Sequence, residues 1–208
     1  MKLALFGATG GTGRHLTDQA LTAGHTVTAL VRDPGRIQPR NRLNVLAGDS
    51  RDGAAVERAV AGQDAVVCAL GGRPWRRRER VCSTAMPHIV AAMQRQSVRR
   101  IVALSTFGAG DTRPQVGLLT RLVVFGLILR SEVADKEAME AQLAESDRLW
   151  TIVRLGVLSE EPGRGVYRAR DDGTIQGMGT ISRADVAHFI LSELRANLWV
   201  RRRPVLVY

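Results

Sequence analysis

Between an apolar run from Lys2 to Phe6 and a helically spaced stretch from Gly13 to Ala23 lies Gly7-Ala8-Thr9-Gly10-Gly11-Thr12-Gly13. Glycines at G-x-x-G-x-x-G spacing in a strand-to-helix turn restrict what this chain can fold into more than any other feature. Glycine permits the tight turn and lets the backbone approach a pyrophosphate, whose charge the amides and dipole of a helix N-terminus stabilise. Thr9 and Thr12 add hydroxyl donors. A turn without a ligand is compatible with the same glycines, so the weight comes from the context of buried strand, turn and helix, with Gly24 as the helix stop.

The beat then repeats. Thr26 to Val31 and Leu43 to Ala47 read as strands, Ala54 to Ala61 as a helix, and Ala65 to Leu70 as a central parallel strand covered on both faces. Val81 to Gln96 and Ser131 to Glu145 are helical, whereas Arg100 to Leu104, ending in Ser105-Thr106, and Trp150 to Arg154 are strands. Ser182 to Ala196 reads as a last helix and Pro204 to Val207 as an edge strand. The pattern predicts an α/β fold: one Rossmann-type, doubly wound parallel sheet of strand order 3-2-1-4-5-6 flanked by helices, with a small C-terminal extension. At 208 residues it reads as a single domain, 1–208, whose residues from about 155 complete the substrate side.

The end of the second strand chooses between dinucleotides. It reads Leu30-Val31-Arg32-Asp33-Pro34-Gly35-Arg36. Arg32 and Arg36 can pair with a 2′-phosphate, which favours NADP(H), while Asp33 leaves dual specificity open. Asp49 and Ser50, closing the third strand, are placed at the adenine pocket.

The formal net charge of +10 attracts anionic partners, nucleic acid included. No recognition-helix or RNA-binding signature accompanies it, and only 4% of residues are aromatic, so no specific nucleic-acid partner is expected. The basic stretch Arg73-Pro74-Trp75-Arg76-Arg77-Arg78-Glu79-Arg80 reads either as a solvated loop or as a contact for a planar or anionic small-molecule acceptor. Two cysteines, Cys68 and Cys82, suggest no disulfide framework, and the N-terminus lacks a signal-peptide pattern, so a cytoplasmic location is expected. Val116 to Leu129, interrupted by Arg121, is too short to span a bilayer and reads as packed or shared in a dimer, leaving monomer or homodimer open. His88 and His188 lack a second ligand type at metal spacing and read as structural, so no metal site is expected.

Gly7-Ala8-Thr9-Gly10, Val31-Arg32-Asp33 and Gly48-Asp49 together resemble the atypical short-chain dehydrogenase/reductase family. The stretch Val60 to Val67 leading to Leu70-Gly71 is similar to its biliverdin reductase B, or flavin reductase, branch. Asp135 to Glu140, Thr151 to Arg154 and Ile181 to Ala187 resemble its bacterial NAD(P)H-binding members. The resemblance implies NADPH held by Gly7, Thr9, Gly10, Gly11, Thr12, Gly13, Arg32, Arg36, Asp49, Ser50, Leu70 and Gly71. Ser105 and Thr106, which end the fifth strand at the edge where open α/β sheets place their ligands, and Lys136, which can bind the nicotinamide ribose, are the catalytic candidates, with a turn-capping serine as the alternative for the hydroxyls. Lys136 alternatively lies on a solvated helix face, paired with Glu140. Arg154-Leu155-Gly156 belongs to the substrate wall, with Arg154 alternatively an ion-pair partner. Ser182-x-x-Asp185 reads as a helix cap.

The chain departs from conventional short-chain dehydrogenases at the acid: the Tyr-x-x-x-Lys pattern would need tyrosine where Glu132 stands before Lys136. Carbonyl chemistry thus loses its usual proton donor. A conjugated acceptor such as a flavin, quinone or biliverdin-like molecule accepts hydride by delocalisation, and an NADPH-dependent reductase of that kind is the expected function. The alternatives are a non-catalytic NADP(H) sensor resembling the regulatory NmrA-like proteins, and sugar-nucleotide epimerase or dehydratase chemistry, which the missing tyrosine disfavours.

Overall fold

The computed structural model describes residues 1–71, 80–117, 129–175, 177 and 179–208. The basic stretch 73–79 and most of the apolar stretch, 118–128, lie outside the described residues.

The strands are β1 (Lys2–Phe6), β2 (Thr26–Val31), β3 (Leu43–Ala47), β4 (Ala65–Cys68), β5 (Arg100–Thr106) and β6 (Leu149–Leu155), followed by the short β7 (Val157–Ser159), β8 (Arg168–Arg170), β9 (Thr180–Ser182) and β10 (Val205–Val207). The α-helices are α1 (Gly11–Thr22), α2 (Gly53–Val60), α3 (Val81–Arg95), α4 (Arg130–Ala144) and α5 (Arg183–Ala196). Eight strands form one sheet in the order β3-β2-β1-β4-β5-β6-β10-β8. The expected order 3-2-1-4-5-6 is therefore the order found, and every pairing in that part is parallel.

Alternation along each strand splits the core into two layers. Leu3 and Leu5 point to the face covered by α1 and α5, and Ala4 and Phe6 to the face covered by α2, α3 and α4. Because both faces are covered, the central strands are apolar throughout rather than alternating with polar residues. This sandwich fixes the C-terminal ends of β1, β4 and β5 along one rim, where β1 and β4 lie on either side of a change in winding direction and open a crevice.

The C-terminal strand departs from expectation. Val205–Val207 is not an edge: it pairs in parallel with β6 and antiparallel with β8. β8 caps that flank of the sheet, so β10 is apolar and buried because it is an interior strand. A separate parallel pair, β7 with β9, stands beside it.

Candidate functional site

The glycine turn divides its labour by position. Gly7 sits at φ +94°, and a Cβ there would lie 2.4 Å from the Ala69 carbonyl oxygen, so only glycine fits against the end of β4. A Cβ at Gly13 would lie 2.1 Å from the Gly7 carbonyl oxygen, because α1 is packed directly on the turn. Gly10 is different, since a Cβ there would meet only the Gly7 oxygen at 3.3 Å. Gly10 is the N-cap of α1 and brings no side chain to the free amides of the first turn, which leaves them available to an anion.

Two clefts run from this turn. The first, about 320 Å³, is lined by Gly7, Thr9, Gly10 and, at its far end, Arg32, Arg36, Asp49 and Ser50. The second, about 490 Å³, holds Gly11, Thr12, Gly13, Ser105, Thr106 and Lys136. They share Gly10, Ala69, Leu70 and Gly71, so together they form one trough across the rim of the sheet. All the cofactor-site and catalytic candidates named from the sequence lie along it.

At the first end, Arg32 and Arg36 are exposed on the rim. Asp33 is engaged locally: its carboxylate accepts from the Gly35 amide at 3.1 Å and caps the 3-10 turn Pro34–Arg36. Asp49 accepts from the Arg51 amide and guanidinium, and that pairing holds its carboxyl down at about 2. Arg51, not foreseen from the sequence, thus adds a third arginine to this rim.

At the second end, Lys136 is buried, not on a solvated face. Its Nζ donates to the carbonyl oxygens of Leu70 and Leu104, both at 2.7 Å, so the lysine ties the ends of β4 and β5 together. Burial works against its charge, while the sulfurs of Cys82 and Cys68 and the Glu132 carboxyl favour it, leaving its pKa above the ordinary value. The alternative Lys136–Glu140 pair does not form, because Glu140 is committed to Arg154 at 2.7 Å. Arg154 is accordingly an ion-pair partner and not part of the cleft wall, to which Leu155 and Gly156 do contribute.

The two hydroxyl candidates separate. Thr106 donates locally to the Phe107 carbonyl at 3.2 Å, whereas Ser105 Oγ is buried without a hydrogen-bond partner among the described residues. An orphaned buried hydroxyl beside a cleft is costly unless a ligand meets it. Together with the uncapped amides and the open backbone at Gly10, it fits a dinucleotide lying along the trough. Cys82 is pushed up to about 12 by burial and remains a thiol, which removes it as a nucleophile.

Behind Lys136, Asp135 accepts from the amides of Cys82 at 2.9 Å and Ser83 at 2.8 Å, capping α3 from a neighbouring helix. Asp135→Ala is expected to cost about 1–3 kcal/mol, read as a fall of about 2–12 °C in the thermal midpoint. Across the trough, Ser182 Oγ accepts from the Asp185 amide at 3.1 Å, the helix cap read from the sequence. Arg183 packs against Gly11 and lines the second cleft, a site residue that its solvent-facing position at a helix start concealed.

The model of the family described as NAD(P)H-binding matches residues 7–197. The chain belongs to that family. An uncharacterized chloroplastic protein of Arabidopsis thaliana is 31% identical over 209 residues, covering 93% of this chain and 71% of that protein. The fold is shared with ChuY, an anaerobilin reductase from Escherichia coli O157:H7, at TM-score 0.85 and 22% identity over 100% of this chain and 97% of that one. A short-chain dehydrogenase/reductase from Veillonella parvula in complex with NADP superposes at TM-score 0.84 with 23% identity, covering 100% of this chain and 94% of that one. Among the described residues, no helix is long and apolar enough to cross a membrane.

Proposed function

We propose that this NAD(P)H-binding chain is an NADPH-dependent reductase of the atypical short-chain dehydrogenase/reductase type, passing hydride to a conjugated acceptor such as a flavin, quinone or biliverdin-like molecule. The observation that carries the reading is the polarity of the trough. One end presents Arg32 and Arg36, with the Asp33 carboxylate engaged by the Gly35 amide, which suits a 2′-phosphate. The other end brings Ser105 and Lys136 to the rim of β5, where they can hold the carboxamide and ribose of a nicotinamide. The cofactor supplies the hydride. The protein's own contribution is position: the backbone amides of α1 would take the diphosphate charge, and Ser105 and Lys136 would hold the nicotinamide end. The relatives named as reductases accord with this chemistry.

The test is titration of the purified protein with NADPH and NADH, followed by loss of nicotinamide absorbance with flavin, quinone and biliverdin-like acceptors. NADPH is expected to bind more tightly, and one acceptor class to be turned over. Replacing Arg32 or Arg36 by alanine is expected to weaken NADPH about tenfold to a hundredfold, since a charged hydrogen bond contributes about 1.5–3 kcal/mol. NADH binding should change little. Firm NADPH binding without turnover on any acceptor would instead favour the sensor reading, and absence of binding would remove both.

A further inference from the structure

The reductase reading assigns no proton donor, yet the second cleft contains one unused carboxyl group. Glu132 lies one turn before Lys136 on α4, and the two side chains line the same cleft with Ser105 and Thr106. Residues four apart share a helix face, so the packing that aims Lys136 at the rim also aims Glu132 there. Glu132 is half-buried, and among the described residues it makes no hydrogen bond and no ion pair, while the carboxylates around it are engaged. Asp135 holds the start of α3, and Glu140 holds Arg154.

Resting on the proposed reductase function, we propose that Glu132 is the proton donor to the acceptor in the second cleft, so that the chain also reduces acceptors with an isolated carbonyl group. The acceptor carbon takes the hydride, with oxidation of NADPH to NADP+. The carbon–oxygen π pair moves onto oxygen, and the O–H bond of Glu132 breaks toward that oxygen. The carboxylate then recovers its proton from water. Ser105, with its unpartnered Oγ, is placed to donate a hydrogen bond to the same oxygen.

The surroundings shift the Glu132 carboxyl toward its protonated form. Burial raises the Glu132 carboxyl above its ordinary value, the Lys136 ammonium opposes this, and the Asp135 carboxylate adds to it. Other titratable groups near this end are Arg183 at the start of α5, held by Glu160 at 2.6 Å, and the buried thiols of Cys68 on β4 and Cys82 on α3 beside Lys136. Reduction of a carbonyl acceptor should therefore fall as pH rises through the raised Glu132 value.

The experiment compares the wild type with Glu132→Gln and Glu132→Tyr, using a carbonyl acceptor and a flavin. General acid catalysis contributes about a hundredfold to ten-thousandfold. Glu132→Gln should lose about a hundredfold or more in kcat/KM with the carbonyl, far less with the flavin, and should lose the high-pH limb, whereas Glu132→Tyr should restore much of the rate. An independent readout is carbon-13 NMR of labelled glutamate in the NADP+ complex. One resonance, absent in Glu132→Gln, should titrate above the ordinary carboxylate range. Equal losses on both acceptors, an unshifted pH profile, or a Glu132 resonance titrating like a surface glutamate would overturn the proposal while leaving the reductase reading intact. A wild type that binds no NADPH would overturn both.

Discussion

Replacing Gly13 by alanine should lower the thermal midpoint by about 6–12 °C and abolish NADPH binding. The new Cβ would sit 2.1 Å from the Gly7 carbonyl oxygen and 2.9 Å from the Ala8 Cα, backbone atoms that no rotamer change can move. Helix α1 must back away from the turn, and a clash with backbone sits at the upper end of the usual overpacking cost, about 3 kcal/mol, which is the basis of the shift in a chain of this size. The first-turn amides would leave their places with it. Gly10→Ala is the matched comparison. Its backbone is extended, with φ −76°, and its Cβ would meet only one oxygen at 3.3 Å. It should melt close to wild type yet bind NADPH more weakly, because the methyl group would stand where the diphosphate approaches. A Gly13→Ala protein that melted and bound like wild type would refute the packed-turn account.

Arg154→Met is expected to destabilise the protein by about 3 kcal/mol. Its guanidinium donates to Glu140 at 3.1 and 2.7 Å and to Asp111 at 2.5 Å, and both Arg154 and Glu140 are buried. Removing one partner of a buried pair costs about 3–5 kcal/mol because the other charge is stranded. The lower end applies since Arg203 stays 3.5 Å from Glu140. The double variant Arg154→Met with Glu140→Gln should recover more than half of the loss in urea denaturation, because no buried charge is then left alone. Additive losses would show that the arginine acts through packing alone. Since Glu140 belongs to the helix that carries Glu132 and Lys136, the single variant should also lower kcat more than it raises KM.

The glycine turn and the six-strand order were legible in the sequence because each rests on a local signal: glycines at fixed offsets, and apolar runs of strand length separated by helical periods. Lys136 was half legible. Its spacing from Glu140 suggested a surface pair, but that carboxylate is claimed by an arginine fourteen residues away, and the lysine is drawn to two strand-end carbonyls. The strands β7, β8 and β9 left no trace, since three residues are too few to show a period and their partners are remote. For the same reason β10 looked like an edge. Ser105 and Thr106 were indistinguishable as letters; only the position of the Phe107 carbonyl separates them.

The first and last helices share one interface. Leu16 and Ala20 of α1 belong to the same buried cluster as Val186, Phe189 and Ile190 of α5, and Gln19 Nε2 donates across to the Ala184 carbonyl at 2.9 Å, 165 residues along the chain. A dinucleotide held by the amides of α1 therefore adds its binding free energy to every local opening that must separate this pair. Amide hydrogens of α5 beyond Arg183, whose residues do not line the trough, should exchange with deuterium more slowly once NADPH is bound.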